Sequence, residues 1–511
     1  MLCDIILLID SRCVMKFKKF FSLFFLWIII VFSAILLSFS HYLNKYFSIL
    51  YFEQLMYNFL NMQNLNIISI SDSVRYVIIG TFVSLSFISL PLIAGKVFTS
   101  FKLQFKIFNK NIKLFPFSLK WYSIFILICA ILCFFRQIGI KDYILNQFSK
   151  TNIYEDYYVS YEDGMVDFPE KKRNLIYIYI ESFENSVFSI DNGGLKKESY
   201  APNLEKMATD SEYLNFSNND KIGGFKTMTG TNWTASAMVA QTAGIPIYIN
   251  TKNDKNEYLS GAVSIGEILK NNGYNNYLMM GSDADFAERR NYFSEHGNYE
   301  ILDYQQARLA RLIPYDYFVW WGYEDSKLYE LAKNKLTYIS QSDEPFNFTM
   351  LTADTHYFDG YTDDSCPKVF DNNYANSFYC MDLQLSQFIS WIKEQDFYEN
   401  TTIVIVGDHL AMRSDVFATN DSNYTRTIFN LFINSEIKVA QNKNRNFTAF
   451  DMLPTTLASI GCSIDGERLA LGTNLFSNEK TLAEEIGYEN FNNALRKNSN
   501  YYKHNILYKK N

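Results

Sequence analysis

Three apolar runs in the first 140 residues limit what this chain can fold into more than any other feature. Phe20 to Phe39 is almost wholly apolar and long enough to span a bilayer as a helix. Tyr76 to Gly95 is a second such run, and Trp121 to Phe135 with its flanks is a shorter third. Segments of this kind fold in lipid as helices, because a helix satisfies its own backbone groups where water cannot. Lys16, Lys18 and Lys19 precede the first run. Between the second and third runs stand Lys96, Lys102, Lys106, Lys110, Lys113 and Lys120, with no acidic residue among them. That asymmetry predicts a cytoplasmic N-terminus and a cytoplasmic Lys-rich loop, and three spans then put everything after about residue 140 outside. A cleaved signal peptide does not account for the first run, since no small-residue cleavage site follows it and two further spans do. Met15 reads as a more natural start than Met1. Tyr42 to Met62 mixes aromatic and polar residues and is expected to lie along the outer interface. A fourth, poorly hydrophobic span is the alternative there, and the Lys-rich loop disfavours it.

The remaining length of this 511-residue chain leaves room for a large outer domain. With 48% hydrophobic and 17% aromatic residues a sizeable core is available, and a net charge of -7 without a basic tail argues against nucleic acid as a partner. Two classes stay open on composition: a membrane-anchored enzyme and a membrane-anchored binding or sensor protein. The expected organisation is a transmembrane region over 1–140, a polar, tyrosine-rich linker over 141–173, an outer domain over 174–480, and a polar tail over 481–511 that frays.

Within the outer part, strand-like and helix-like stretches alternate, which predicts an α/β fold with a largely parallel sheet flanked by helices. In such sheets ligands bind just beyond the carboxyl ends of the strands. The apolar run Asn174 to Ile180 ends in Glu181. Tyr274 to Met280 is followed by Asp283 and Arg289, Phe346 to Leu351 by His356, and Thr401 to Val406 by Gly407, Asp408 and His409. A carboxylate beside an imidazole is a natural O,N pair for a divalent metal. Each residue alone has a plainer reading: Glu181 starting a helix whose dipole favours it, Asp408 capping the next element, Arg289 on solvated surface. The recurrence at several strand ends, with two of the five histidines among them, favours a metal site. His356 suits donation to a substrate oxygen or general acid–base work. Thr231 and Thr234 lie just before a small-residue helix, Ala235 to Ala243. There a hydroxyl or a phosphate gains from the helix N-terminus, and a simple helix cap is the other reading. Cys366 and Cys380 close a short loop and can pair, while Cys462 reads as a buried free thiol.

Several segments resemble one family. They are Asn-Leu-Ile-Tyr-Ile-Tyr-Ile-Glu-Ser at 174–182, Asn-Trp-Thr-Ala-Ser-Ala-Met-Val-Ala at 232–240, Gly-Ile-Pro at 244–246, Ala-Asp-Thr-His at 353–356 and Gly-Asp-His-Leu-Ala-Met at 407–412. In this order they resemble the membrane-anchored phosphoglycerol transferases of periplasmic glucans, relatives of lipoteichoic acid synthases within the alkaline phosphatase and sulfatase superfamily. The resemblance covers about residues 170–475 and implies a sulfatase-like fold facing outward from the inner (cytoplasmic) membrane. It implies one divalent ion, manganese first with magnesium or zinc as alternatives, held by Glu181, Asp408 and His409. Thr234 would be the nucleophile and fourth ligand, His356 would contact the phosphoryl group or protonate a leaving oxygen, and Asp283 and Arg289 would lie near the substrate. The implied donor is phosphatidylglycerol and the implied acceptor a glucan or other hydroxyl. Cys366 and Cys380 match a cysteine pair of the glucan-modifying members. Trp321-Gly322-Tyr323-Glu324-Asp325 resembles a family segment that opens a helix near the site. Gly407 departs from the commoner Ser, which reads as a small change. The Cys-x-Pro-x-Arg signature of sulfatases is missing. A phosphoethanolamine transferase, a glycerol phosphate polymerase and a sensor on an inactive fold are the competing expectations.

Overall fold

The apolar runs form the helices that their composition dictates. In the computed structural model, which describes residues 11–46, 52–60, 67–100, 104–107, 110–113 and 119–508 except 358, 414, 415, 418, 420, 438 and 440, helices occupy Ser11–Tyr46, Ile67–Ser100 and Leu119–Gln137. Within them Phe20–Lys45, Val74–Ile93 and Leu119–Gln137 are long and apolar enough to cross a membrane. The described residues fall into two units, one within Met1–Leu50 and Ile67–Lys141, the other within Tyr51–Asn66 and Asp142–Asn511. The first unit is held by a small contact between Ile30, Ala34 and Ile88, by the Ser38 hydroxyl donating to Val77 O at 2.9 Å, and by the Tyr122 hydroxyl donating to Ile88 O at 2.7 Å. Phe20, Phe24, Phe82 and Phe125 stay exposed on it, as expected of side chains meant for lipid.

The second unit is built on a seven-stranded sheet. In chain order its strands are β1 (Asn174–Ile180), β2 (Gly224–Phe225), β3 (Asn275–Met280), β4 (Glu300–Leu302), β5 (Phe346–Leu351), β6 (Thr401–Gly407) and β7 (Ile428–Ile433). Their spatial order is β2-β7-β6-β1-β5-β3-β4. The pairs β6–β1, β1–β5, β5–β3 and β3–β4 are parallel, whereas β7 runs antiparallel to both its neighbours, so the sheet is mixed and largely parallel. β1 is buried throughout because it feeds two cores. Leu175, Tyr177 and Tyr179 enter one, and Ile176, Ile178 and Ile180 enter the other, with the two-residue period of a strand. Each fully buried isoleucine contributes about 2–3 kcal/mol. In the β1–β6 register Ile180 stands opposite Gly407, so the two strands end together and deliver Glu181 and Asp408 side by side.

Two sequence expectations change here. Residues 141–173 are no loose linker. Ile140–Gln147 and Ile153–Tyr157 are helical, Ile153 and Tyr154 are buried, and Val166–Asp167 pairs with Ser463–Ile464. Nor does the chain fray after 480. Tyr488–Leu495 is helical, and Phe491, Leu495, Tyr502 and Ile506 are buried in the core. Their spacing of four puts each pair on one helix face, against which a polar background is no argument. Finally, within the stretch expected along the interface, Phe52–Leu60 is a helix that packs into the second unit. Tyr57 is fully buried, its hydroxyl 2.9 Å from Ala287 O and 3.1 Å from the Tyr258 hydroxyl.

Candidate metal and phosphoryl site

Glu181, Asp408 and His409 meet beyond the ends of β1 and β6, each offering an atom within 4.8 Å of the others, and all three are buried. Glu181 Oε1 and Asp408 Oδ2 each lie 3.4 Å from His409 Nε2. The backbone fixes this set. Ser182, at φ 55° in the left-handed region, turns the chain so that its N–H donates to Asp408 Oδ1 at 2.7 Å and its hydroxyl donates to Glu181 Oε1 at 2.8 Å. The His409 N–H donates to the same Asp408 Oδ1 at 2.6 Å. His409 Nδ1 donates to Leu410 O at 2.9 Å, which turns Nε2 toward the carboxylates. Asp408 Oδ2 is buried and has no hydrogen-bond partner among the described residues. A buried carboxylate oxygen without a hydrogen bond, facing an imidazole nitrogen and a second carboxylate, is the donor set of a dication site, and these residues fit one.

The electrostatics agree. Burial raises the Glu181 carboxyl, but His356 and His409 outweigh it and hold the group well below the ordinary carboxylate range. Burial and the neighbouring Glu181 push Asp408 up to about 7. Burial lowers His409, but Asp408 and Glu181 carry it up to about 10. Without a cation the cluster therefore holds a proton to balance its negative charge.

Thr234 completes the group. It opens the helix Thr234–Ala243, and its Oγ1 lies 3.2 Å from Glu181 Oε2 and 3.4 Å from His409 Nε2. Thr231 and Thr234 differ in their partners. Thr231 Oγ1 accepts from Met228 N–H and donates to Met228 O, closing its own turn. Capping of the helix falls to Ser236, whose Oγ accepts the Trp233 N–H at 3.1 Å. Thr234 is thereby free of capping duty and faces the carboxylates at a helix N-terminus.

His356 is reached through a brace on the segment that the resemblance marked as opening a helix near the site. Asp325 opens the helix Asp325–Ile339, and its carboxylate accepts the Ala353 and Asp354 N–H groups at 2.8 and 3.0 Å. Asp354 returns the bond by accepting the Asp325 N–H at 3.0 Å, and the Thr355 hydroxyl donates to Glu181 O at 2.5 Å. His356 Nδ1 then donates to Tyr357 O at 2.8 Å, and its ring lies 4.4 Å from that of Trp321. Burial lowers its pKa more than Glu181 raises it, so the ring is neutral with Nε2 bare. That state suits the general acid–base role among those expected from the sequence. Arg289 is buried near Glu181, held by Ser282 Oγ at 3.3 Å and Asp283 O at 2.7 Å. The Asp283 carboxylate is engaged by Asp285 N–H and Gln305 at 2.9 Å each. Its charge also acts on the Arg289 guanidinium beside it.

Other residues were missed. Ser182 had a signal in its place after a strand-ending Glu. Tyr57 had none, yet its ring lies 5.3 Å from Trp233, next to the nucleophile candidate. Gly407 is no small departure from Ser, because a Cβ there would stand 1.9 Å from Phe183 O. Cys366 and Cys380 are joined, with Cα atoms 5.3 Å apart, and Cys462 is a buried free thiol, both as expected.

An α/β sheet that gathers a carboxylate, a second carboxylate, an imidazole and a hydroxyl at its strand ends offers ligands for a divalent ion beside a nucleophilic oxygen. The profile of the Sulfatase family matches residues 173–462, and the chain belongs to that family. Phosphoglycerol transferase I of Salmonella paratyphi B is 28% identical over 348 residues, which are 66% of this chain and 40% of that protein. The chain thus spans about two-fifths of the length of that relative. Lipoteichoic acid synthase LtaP from Listeria monocytogenes superposes with a TM-score of 0.45 at 18% identity, covering 64% of this chain and 81% of that one. Lipooligosaccharide phosphoethanolamine transferase A from Neisseria meningitidis gives 0.47 at 14% identity, covering 85% and 83%.

Proposed function

We propose that this chain transfers phosphoglycerol from phosphatidylglycerol to an acceptor hydroxyl, a periplasmic glucan first among candidates, through a phosphoglyceryl-threonine at Thr234. The observation that carries the reading is the Thr234 hydroxyl, 3.2 Å from Glu181 Oε2 and 3.4 Å from His409 Nε2 at a helix N-terminus. Family membership and the name of the Salmonella relative support the chemistry.

Glu181, Asp408, His409 and Thr234 would hold a divalent ion, manganese first, with magnesium or zinc as alternatives. Such an ion lowers the pKa of a coordinated hydroxyl and offsets charge on the phosphoryl oxygens. Thr234 Oγ attacks the phosphorus of the lipid diester, its proton passes to His356 Nε2, and the bond from phosphorus to the diacylglycerol oxygen breaks. The departing oxygen takes that proton from His356 and diacylglycerol is released. Arg289 and the helix N-terminus bind the phosphoryl oxygens. In the second half an acceptor hydroxyl attacks the same phosphorus, giving its proton to His356 Nε2, the bond from phosphorus to Thr234 Oγ breaks, and that oxygen takes the proton back from His356. The N-terminus and the Lys-rich loop lie in the cytoplasm, and the outer unit faces the periplasm from the inner membrane. The anchor raises the effective concentration of a lipid donor at the site.

Thr234→Ala in the full chain is expected to lower diacylglycerol release on the order of a thousandfold or more with the melting profile intact. Retained release would move the nucleophile elsewhere. Release from phosphatidylethanolamine in place of phosphatidylglycerol would make the chain a phosphoethanolamine transferase.

A further inference from the structure

We propose that residues 309–318 form a lipid-contacting loop that seats the candidate site on an anionic bilayer surface. The proposal rests on the reading of the donor as a membrane lipid. The segment leaves the helix Tyr304–Leu309 and returns at Trp320 and Trp321. It is a built loop. The Arg311 N–H donates to Arg308 O at 3.0 Å, Leu312 N–H to Ala307 O at 2.9 Å and Tyr317 N–H to Pro314 O at 3.1 Å. The Tyr304 hydroxyl donates to Tyr317 O at 2.8 Å, and Val319 and Gly322 exchange backbone bonds of 2.7 and 3.1 Å. Ile313 is turned inward and buried. Yet Leu309, Leu312, Tyr315 and Phe318 are 71%, 47%, 76% and 39% exposed. A fixed backbone that holds several large apolar side chains in water marks a surface waiting for an apolar partner.

The chemistry of the loop selects the partner. Arg308 lies 4.0 Å from the centre of the Tyr315 ring, and Arg311 is exposed between Leu309 and Leu312. Asp316 is the lone acidic residue of the segment. Aliphatic tips for the acyl region, tyrosine for the headgroup level and guanidinium groups for phosphates match an anionic lipid interface. The same chain carries three helices able to cross a membrane, so a bilayer is its permanent neighbour. The loop is also wired to the site. The Trp320 indole N–H donates to Ala353 O at 3.2 Å, and the ring of Trp321 stands 4.4 Å from that of His356. A lipid whose chains meet Leu312 and Tyr315 would present its headgroup on the side of the loop that leads to His356.

The test uses the full chain in vesicles of phosphatidylglycerol and phosphatidylcholine, with Cys3, Cys13, Cys129, Cys133 and Cys462 replaced and the Cys366–Cys380 bridge kept. A nitroxide is attached at Tyr315→Cys or, as a water-facing control, at Tyr338→Cys on the helix Asp325–Ile339. The ratio of collisions with oxygen to collisions with a hydrophilic nickel chelate is expected to be at least about tenfold higher at 315 than at 338, as for a site in an apolar phase. Equal ratios overturn the proposal, as does shielding at 315 that arises only when glucan is added, which would give the loop to the acceptor. In a second experiment, Leu312→Ser with Tyr315→Ser is expected to raise KM for vesicular phosphatidylglycerol about tenfold and to leave turnover of a water-soluble phosphodiester unchanged. Equal loss on both substrates makes the loop merely structural and contradicts the proposal. The nitroxide readout needs no turnover, so a chain that transfers nothing but inserts this loop would refute the proposed function and leave the inference standing.

Discussion

His356 and Gly407 show how much of the candidate chemistry depends on one side chain, or on having none. A neutral His356, with its pKa lowered from 6.5 mainly by burial, keeps Nε2 available down to more acidic pH than a free imidazole would. Lowering the folded pKa extends the neutral form toward acid, so the acid limb of kcat should fall below pH 6.5 with a plateau above it. His356→Gln should remove that limb and lower kcat by about 10²–10⁴. A limb centred above pH 7 in the parent would assign the titration to another group. Gly407 faces Phe183 O so closely that any Cβ, at 1.9 Å, must push β6 away from the turn that follows β1. Gly407→Ser is expected to destabilise the outer unit by about 3 kcal/mol and to lose activity with it. Unchanged melting and activity would mean that the strand end yields easily.

At the level of elements, the sequence was most legible where burial is two-sided. β1, β5 and β6 are apolar runs that stop at Glu181, at the His356 loop and at Asp408, and a run of that kind marks both a strand and its end. β2 and β4 went unread, because two or three residues carry no period. The docking of Phe52–Leu60 was not legible either. Glu53, Gln54 and Asn58 give the helix a polar look, and only the partners of Tyr57 reveal where it sits. Those partners make a prediction. Tyr57→Phe leaves Ala287 O without its donor and should cost about 1 kcal/mol. Tyr57→Ala also opens a cavity beside Trp233 and should cost about 3–4 kcal/mol, read as loss of melting temperature in the full chain. Two silent variants would show that this helix does not dock on the outer unit.

For the whole molecule, three helices apolar enough to cross a membrane come early in the chain and the four converging side chains of the candidate site come later. The sequence placed Glu181, Thr234, Asp408 and His409 as candidates because three follow strand ends and one starts a helix, positions that topology alone brings together. Residue type and position alone left Thr231 and Thr234 open, and the family resemblance pointed to Thr234; which hydroxyl is already used by its own turn is visible only in the fold. The central claim is that the Thr234 oxygen becomes covalently linked to phosphorus. Full-length protein loaded with manganese, incubated with phosphatidylglycerol without acceptor, quenched in acid and digested, should yield a phosphoglycerol adduct on the peptide containing Thr234, localised to that residue by fragmentation and lost when the metal is chelated first. Diacylglycerol release with no adduct at Thr234, or with the adduct on Thr231, would contradict the account.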